Sequence, residues 1–111
     1  MAPMIPLLTQ LQFEEFLVKS GEVPKEVSKA VAVYFTASWC GACTRLDLEK
    51  IQAHNTTVVW YKCDIDVNKY TLGYCGLSKI PSFVFIKDGK FLGKFTSSDT
   101  DFVIEMIDDS F

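Results

Sequence analysis

An unbroken apolar run, Ala30-Val31-Ala32-Val33-Tyr34-Phe35, leads through Thr36-Ala37-Ser38 into Trp39-Cys40-Gly41-Ala42-Cys43. Apolar residues without alternation mark a strand buried on both faces, so this one belongs in the middle of a covered sheet. The two cysteines then fall where the buried strand gives way to a helix. Thiols at that spacing after a βα pattern read as a redox pair rather than a structural bridge.

The rest of the chain supplies the layers. Thr9-Gln10-Leu11-Gln12 has the form of a capping box, and Leu11, Phe13, Phe16 and Leu17 continue at roughly helical spacing until Ser20-Gly21. Gly21 to Lys25, with Pro24, is expected as a loop. A second helix is expected to begin near Cys40, with Leu46, Leu48, Ile51 and Ala53 set among charged residues. Val58-Val59-Trp60-Tyr61 reads as a second central strand, and Asp66 to Cys75 as a helix that ends at Gly76. Ser82 to Ile86 and Phe91 to Phe95 flank Lys87-Asp88-Gly89-Lys90, and Asp-Gly between apolar runs predicts an antiparallel hairpin. Asp99 can cap a last helix whose face is Phe102, Val103, Met106 and Ile107. Helices between the early strands and a closing hairpin make an α/β chain with a mixed central sheet and helices on both faces.

At 111 residues the chain fits a single domain, residues 1–111, which buries roughly two thirds of its unfolded surface and holds a core without staples. A net charge of −3 with dispersed lysines argues against nucleic acid and anionic membrane as partners. Met1-Ala2-Pro3-Met4-Ile5-Pro6 has no basic flank and carries two prolines, unlike a secretory signal. The longest uncharged stretch, Ala30 to Thr44, is 15 residues and contains Gly41, too short to span a bilayer. A cytoplasmic location is the expectation.

Ile80-Pro81 directly precedes the strand at Ser82, and proline donates no ladder hydrogen bond, so it marks the strand entrance. Ala37-Ser38-Trp39-Cys40-Gly41-Ala42-Cys43, Lys62-Cys63-Asp64-Ile65-Asp66, Ile80-Pro81-Ser82-Phe83 and Asp88-Gly89 together resemble the thioredoxin family, in that family's element order from Thr9 to Ile107. The resemblance implies the thioredoxin fold and a thiol–disulfide oxidoreductase. Cys40, at a helix N-terminus, is expected as an exposed thiolate of lowered pKa and the nucleophile. Cys43, almost one turn further in, is expected to be shielded and to resolve the mixed disulfide. Gly41 lets backbone lie close to the sulfurs, and Trp39 offers a flat apolar wall beside them. The resemblance implies a cis Pro81 packed on the sulfurs, with Ile80 presenting backbone groups to an extended substrate by strand addition.

Three positions depart from the family pattern. Ala42 stands where the family has proline between the cysteines; it frees the backbone and adds an amide donor near the sulfurs, which predicts a less reducing potential. Tyr34 stands where the family has a buried carboxylate, and a phenol is a poor base at neutral pH. Tryparedoxins and nucleoredoxins resemble the chain in carrying an aromatic residue there. Lys62 takes the place of the family's buried lysine and is expected to bond the Tyr34 hydroxyl or to run its stem along the core to water. Cys43 then loses its proton to water or to the leaving group. Ser97, within Thr96-Ser97-Ser98, replaces a glycine of the substrate groove, where hydroxyls are expected to narrow the groove and add donors.

Other polar residues read more plainly. Cys63 is expected as a small buried hydrophobe, and Cys75, beside Gly76, as the more exposed thiol with a regulatory or dimerising role as the alternative. The four cysteines lack the second close pair that a structural zinc site uses. His54 reads as a charge partner at a helix C-terminus, and Glu14-Glu15 and Asp108-Asp109 as solvated faces.

The expectation is therefore a thioredoxin-type reductase of disulfide-containing protein substrates. It acts as a monomer, with no metal and no cofactor beyond the Cys40–Cys43 pair, and an upstream reductase or glutathione supplies its electrons. The rivals are a tryparedoxin-like or isomerase-like protein of raised potential and a non-catalytic thioredoxin-fold binding subunit.

Overall fold

The structure, a computed structural model, describes residues 3–17 and 29–111. Its strands are β1 (Ile5–Pro6), β2 (Ala30–Thr36), β3 (Val58–Asp64), β4 (Ser82–Lys87) and β5 (Lys90–Thr96). Its α-helices are α1 (Gln10–Glu14), α2 (Leu48–His54), α3 (Thr71–Tyr74) and α4 (Thr100–Ser110). The strands form one mixed sheet in the order β1-β3-β2-β4-β5. β1, β3 and β2 run parallel, whereas β4 and β5 are antiparallel to their neighbours.

β2 is the central strand that its sequence requires, buried at every residue. Val31, Val33 and Phe35 pack on one face with Leu7, Phe13, Cys63, Val84 and Ile86. Ala32 and Tyr34 pack on the other with Ile51, Trp60, Phe83, Val103 and Ile107. On that second face the Tyr34 ring stacks on Phe83 at 5.4 Å between centroids, and Phe83 stacks on Phe95 at 5.1 Å. Truncating a ring from such a ladder removes both apolar burial and packing, about 3–5 kcal/mol.

The capping box at Thr9 forms: its side chain accepts from Gln12 N–H and the Gln12 side chain accepts from Thr9 N–H, both at 3.2 Å. The expected helix stop at Ser20-Gly21 and the loop Gly21 to Lys25 lie outside the described residues. The hairpin forms as read, with Asp88 and Gly89 at φ 54° and 77°, the left-handed pair that a type I′ turn requires.

Three helices differ from expectation: α1 ends at Glu14, and Phe16 and Leu17, expected to continue it, close i→i−3 turns on Phe13 and Glu14 instead. The helix foreseen over Asp66 to Cys75 is only Thr71–Tyr74. Before it, the Asp64 carboxylate accepts from Asp66 N–H at 2.9 Å while the Asp64 carbonyl accepts from Val67 and Asn68, a local turn that competes with helix. The stop at Gly76 holds: its φ is 75° and Leu77 N–H reaches back to the Leu72 carbonyl, a Schellman closure.

The helix foreseen from Cys40 is interrupted. Ala42–Arg45 is a 3₁₀ turn, Leu46 is extended with ψ 134°, and α2 begins only at Leu48. Asp47 causes the restart, its side chain accepting from Lys50 N–H at 3.1 Å as an N-cap. Its own N–H donates to Thr100 Oγ1 at 2.9 Å, tying the break to the first turn of α4. Lys50 and Asp101 pair at 3.3 Å, and His54 Nε2 lies 2.7 Å from Asp108 Oδ1. His54 is thus the exposed partner expected at a helix C-terminus, and Asp108 of α4 is what it pairs with.

Candidate active site

Cys40 and Cys43 are joined as a disulfide whose Cα atoms stand 5.4 Å apart, at the end of β2 that also carries Trp39. Ala37, Ala42, Ile65 and Ile80 pack against the pair. The two cysteines are 6% and 8% exposed, so the expected contrast of an open Cys40 and a shielded Cys43 is absent from the bridged state. The bond draws both sulfurs under the same apolar cover. What distinguishes them is a hydrogen bond: Cys43 N–H donates to Cys40 Sγ at 3.1 Å. A donor aimed at one sulfur favours the thiolate form of that sulfur.

That donor is the amide of Cys43, not the one added by Ala42, which makes no hydrogen bond to the described residues. The 3₁₀ turn supplies these amides in place of a long α-helix. Thr44 closes it, its N–H and Oγ1 both reaching the Gly41 carbonyl at 3.2 and 2.6 Å.

Trp39 is 65% exposed, so it is not a core residue. Its indole N–H donates to Asp66 Oδ2 at 2.9 Å, which fixes the ring against the turn that follows β3. Sequence reading did not single out Asp66. The available signal was the indole N–H itself, a donor that an ordered tryptophan needs to satisfy.

The Ile80–Pro81 bond is cis, as expected, Pro81 is buried, and Ile80 packs against the cysteine pair. Ser97 N–H donates to the Pro81 carbonyl at 3.2 Å, and Ser97 Oγ accepts from Asp99 N–H at 3.1 Å at the head of α4. Thr96 Oγ1 lies 2.6 Å from Ser82 Oγ. Thr96 thus spends its hydroxyl proton on Ser82, whereas Ser97 Oγ only accepts here and keeps its own proton to donate.

In the core, Tyr34 donates its hydroxyl to Thr36 Oγ1 at 3.2 Å. Lys62 is exposed and does not bond it. Of the two courses expected for Lys62, the chain takes the route to water, where it lines a cleft of about 250 Å³ with Met4, Pro6, Leu7, Leu8, Asp64 and Val67. Burial raises the Tyr34 pKa, offset in part by the bond to Thr36, so the phenol stays neutral. Cys63 is fully buried as expected, but Cys75 is only 7% exposed, against the expectation of an open thiol. The Schellman turn folds Cys75 into the core cluster that also holds Phe13 and Leu7. Burial pushes Cys63 up to about 12 and Cys75 up to about 11. Both are free thiols.

Among the described residues no group of three His, Cys, Asp or Glu side chains could hold a metal ion, and no helix is long and apolar enough to cross a membrane. The family model described as Thioredoxin matches residues 5–109. The chain belongs to the thioredoxin family. Over 91 residues it is 33% identical to the thioredoxin of Geodia cydonium, a match covering 80% of each chain. Over 77 residues, 68% of the chain, it is 34% identical to the TPR repeat-containing thioredoxin TDX of Arabidopsis thaliana, of which it spans only 20%. Its fold superposes on the X-ray structure of Fasciola hepatica thioredoxin with a TM-score of 0.80 at 26% identity, over 97% of this chain and 100% of that one. Membership of the thioredoxin family and a Cys40–Cys43 bridge make this chain a thiol–disulfide oxidoreductase.

Proposed function

We propose that the chain reduces disulfides of protein substrates, with Cys40 as nucleophile and Cys43 as resolving thiol. The observation that carries this assignment is the Cys43 N–H aimed at Cys40 Sγ, a donor that favours negative charge on that sulfur once the bridge opens. The Cys40 thiolate attacks one substrate sulfur and expels the other as a thiolate. Cys43 then attacks Cys40 Sγ, which releases the reduced substrate and leaves the Cys40–Cys43 bridge. Two electrons from a dithiol reductase or from glutathione restore the pair, and the chemistry calls for no cofactor beyond the two sulfurs.

Trp39 and Ile80 flank the bridge as the binding rims, and Gly41 and Ala42 leave the approach to the sulfurs low. Tyr34 is neutral and bonded to Thr36, and Lys62 is turned to water, so neither removes a proton from Cys43. That proton goes to water or to the departing substrate thiolate. The thiols of Cys63 and Cys75 are free, which fits a reducing, cytoplasmic setting. Burial of Cys75 disfavours an intermolecular bridge and supports action as a monomer, with residues 1–111 as a single domain. Ala42 favours a potential raised toward that of isomerase-like relatives over that of an ordinary thioredoxin.

Trapping with an oxidised protein substrate tests the assignment. Cys43→Ser is expected to accumulate the mixed disulfide and Cys40→Ser to form none. Adducts on Cys43 in the Cys40→Ser protein would reverse the roles.

A further inference from the structure

Ser82 is fully buried and opens β4 directly after Pro81. Its hydroxyl has one proton, which it donates to the Lys79 carbonyl. Its remaining lone pairs accept from Thr96 Oγ1, 2.6 Å away on β5. The turn from Lys79 to Ser82 is therefore pinned at two carbonyls, Lys79 through the Ser82 hydroxyl and Pro81 through the N–H of Ser97. Ile80 lies between the pins. Neither its N–H nor its C=O bonds to any described residue, although its side chain packs against the cysteine pair. An unpaired donor and acceptor held on a fixed segment are what an incoming extended chain requires for pairing.

We propose that Ser82 is a positioning residue for substrate. The relay from Thr96 through the Ser82 hydroxyl to the Lys79 carbonyl holds the Ile80 backbone in the register that an extended substrate segment pairs with. This rests on the reading of Ile80 as a strand-addition edge. Ser82 touches neither the sulfurs nor the substrate, so it acts on binding rather than on the exchange step.

The test is steady-state reduction of insulin disulfides, together with the potential of the Cys40–Cys43 couple. Ser82→Ala is expected to raise KM about five- to tenfold, the effect of one hydrogen bond withdrawn from the bound state. The value of kcat stays within about twofold, the potential does not move, and Ser82→Thr, which keeps the hydroxyl, restores KM. Thr96→Val removes the other member of the relay from an exposed position and is expected to give the same split, which covers a Ser82→Ala protein that does not fold. An unchanged KM in both variants, a KM that Ser82→Thr fails to restore, or a displaced potential overturns the positioning role. A parent chain that reduces hydroxyethyl disulfide but not insulin overturns the strand-addition reading, and the role of Ser82 with it.

Discussion

The indole N–H of Trp39 and the carboxylate of Asp66 meet at 2.9 Å, binding a residue of the redox loop to the turn after β3 across 27 positions of sequence. Both partners are exposed, so the bond adds little to folding, yet it sets where an apolar wall stands beside the disulfide. Asp66→Ala is expected to raise KM for a protein disulfide about threefold, with stability altered by less than about 0.5 kcal/mol. Insulin-reduction kinetics and urea midpoints measure the two effects, and an unchanged KM would show that the ring needs no anchor.

Ala42 leaves an N–H in the redox loop without a partner among the described residues, placed to turn toward a thiolate once the bridge opens. Proline removes that donor. The Ala42→Pro variant is expected to be more reducing by about 30 mV, a tenfold change in the exchange constant, against a parent chain above roughly −270 mV. Equilibration with glutathione buffers reads both values, and equal potentials would exclude the contribution.

Tyr34 occupies the place of the family's carboxylate but works as packing, stacked on Phe83 at 5.4 Å. Tyr34→Phe is expected to leave turnover at pH 6 to 8 within about twofold while lowering stability by about 1 kcal/mol through loss of the bond to Thr36. Tyr34→Asp is expected to destabilise by about 3 kcal/mol or more, since it breaks the aromatic ladder and buries a carboxyl that Lys62 does not reach. A clear fall in turnover with Tyr34→Phe would give the phenol a part in proton transfer.

The buried thiols set an alkaline limit. Cys63 and Cys75 rise from an ordinary value of 9.0 to about 12 and about 11, so the folded state keeps their protons after the unfolded state has released them. Their stabilising contribution is whole below pH 9 and is lost as pH climbs through the folded values, at about 1.4 kcal/mol per pH unit for each thiol. Urea unfolding from pH 7 to 11 is expected to show this decline, and Cys63→Ala to flatten it. Iodoacetamide at pH 8 should label neither thiol in the folded chain. Rapid labelling of Cys75 would contradict its burial.

Strands and turn residues were legible because their signals are local. The run from Ala30 to Phe35 fixed a buried central strand, Asp88-Gly89 specified its turn through φ alone, and Thr9 with Gln12 closed a box between neighbours. The bridge and the proline at the strand entrance were legible for the same reason. The break at Leu46-Asp47 was not, because a capping aspartate inside an amphipathic pattern is silent until Thr100, 53 residues on, receives its N–H. The burial of Cys75 likewise depends on how a Schellman turn directs one side chain into the core. Asp66 and Ser82 escaped notice because each has a partner, Trp39 or Thr96, 27 and 14 positions away, that the chain brings near only by folding.

That interruption at Leu46 also separates two mechanical parts. The 3₁₀ turn carrying Cys43 ends before α2 begins, and α2 is riveted to α4 at Asp47, Lys50 and His54. The extended residue between them works as an expansion joint. A loop that opens and closes its bridge thus has a joint of its own at Leu46, set apart from a helical layer clamped at three points.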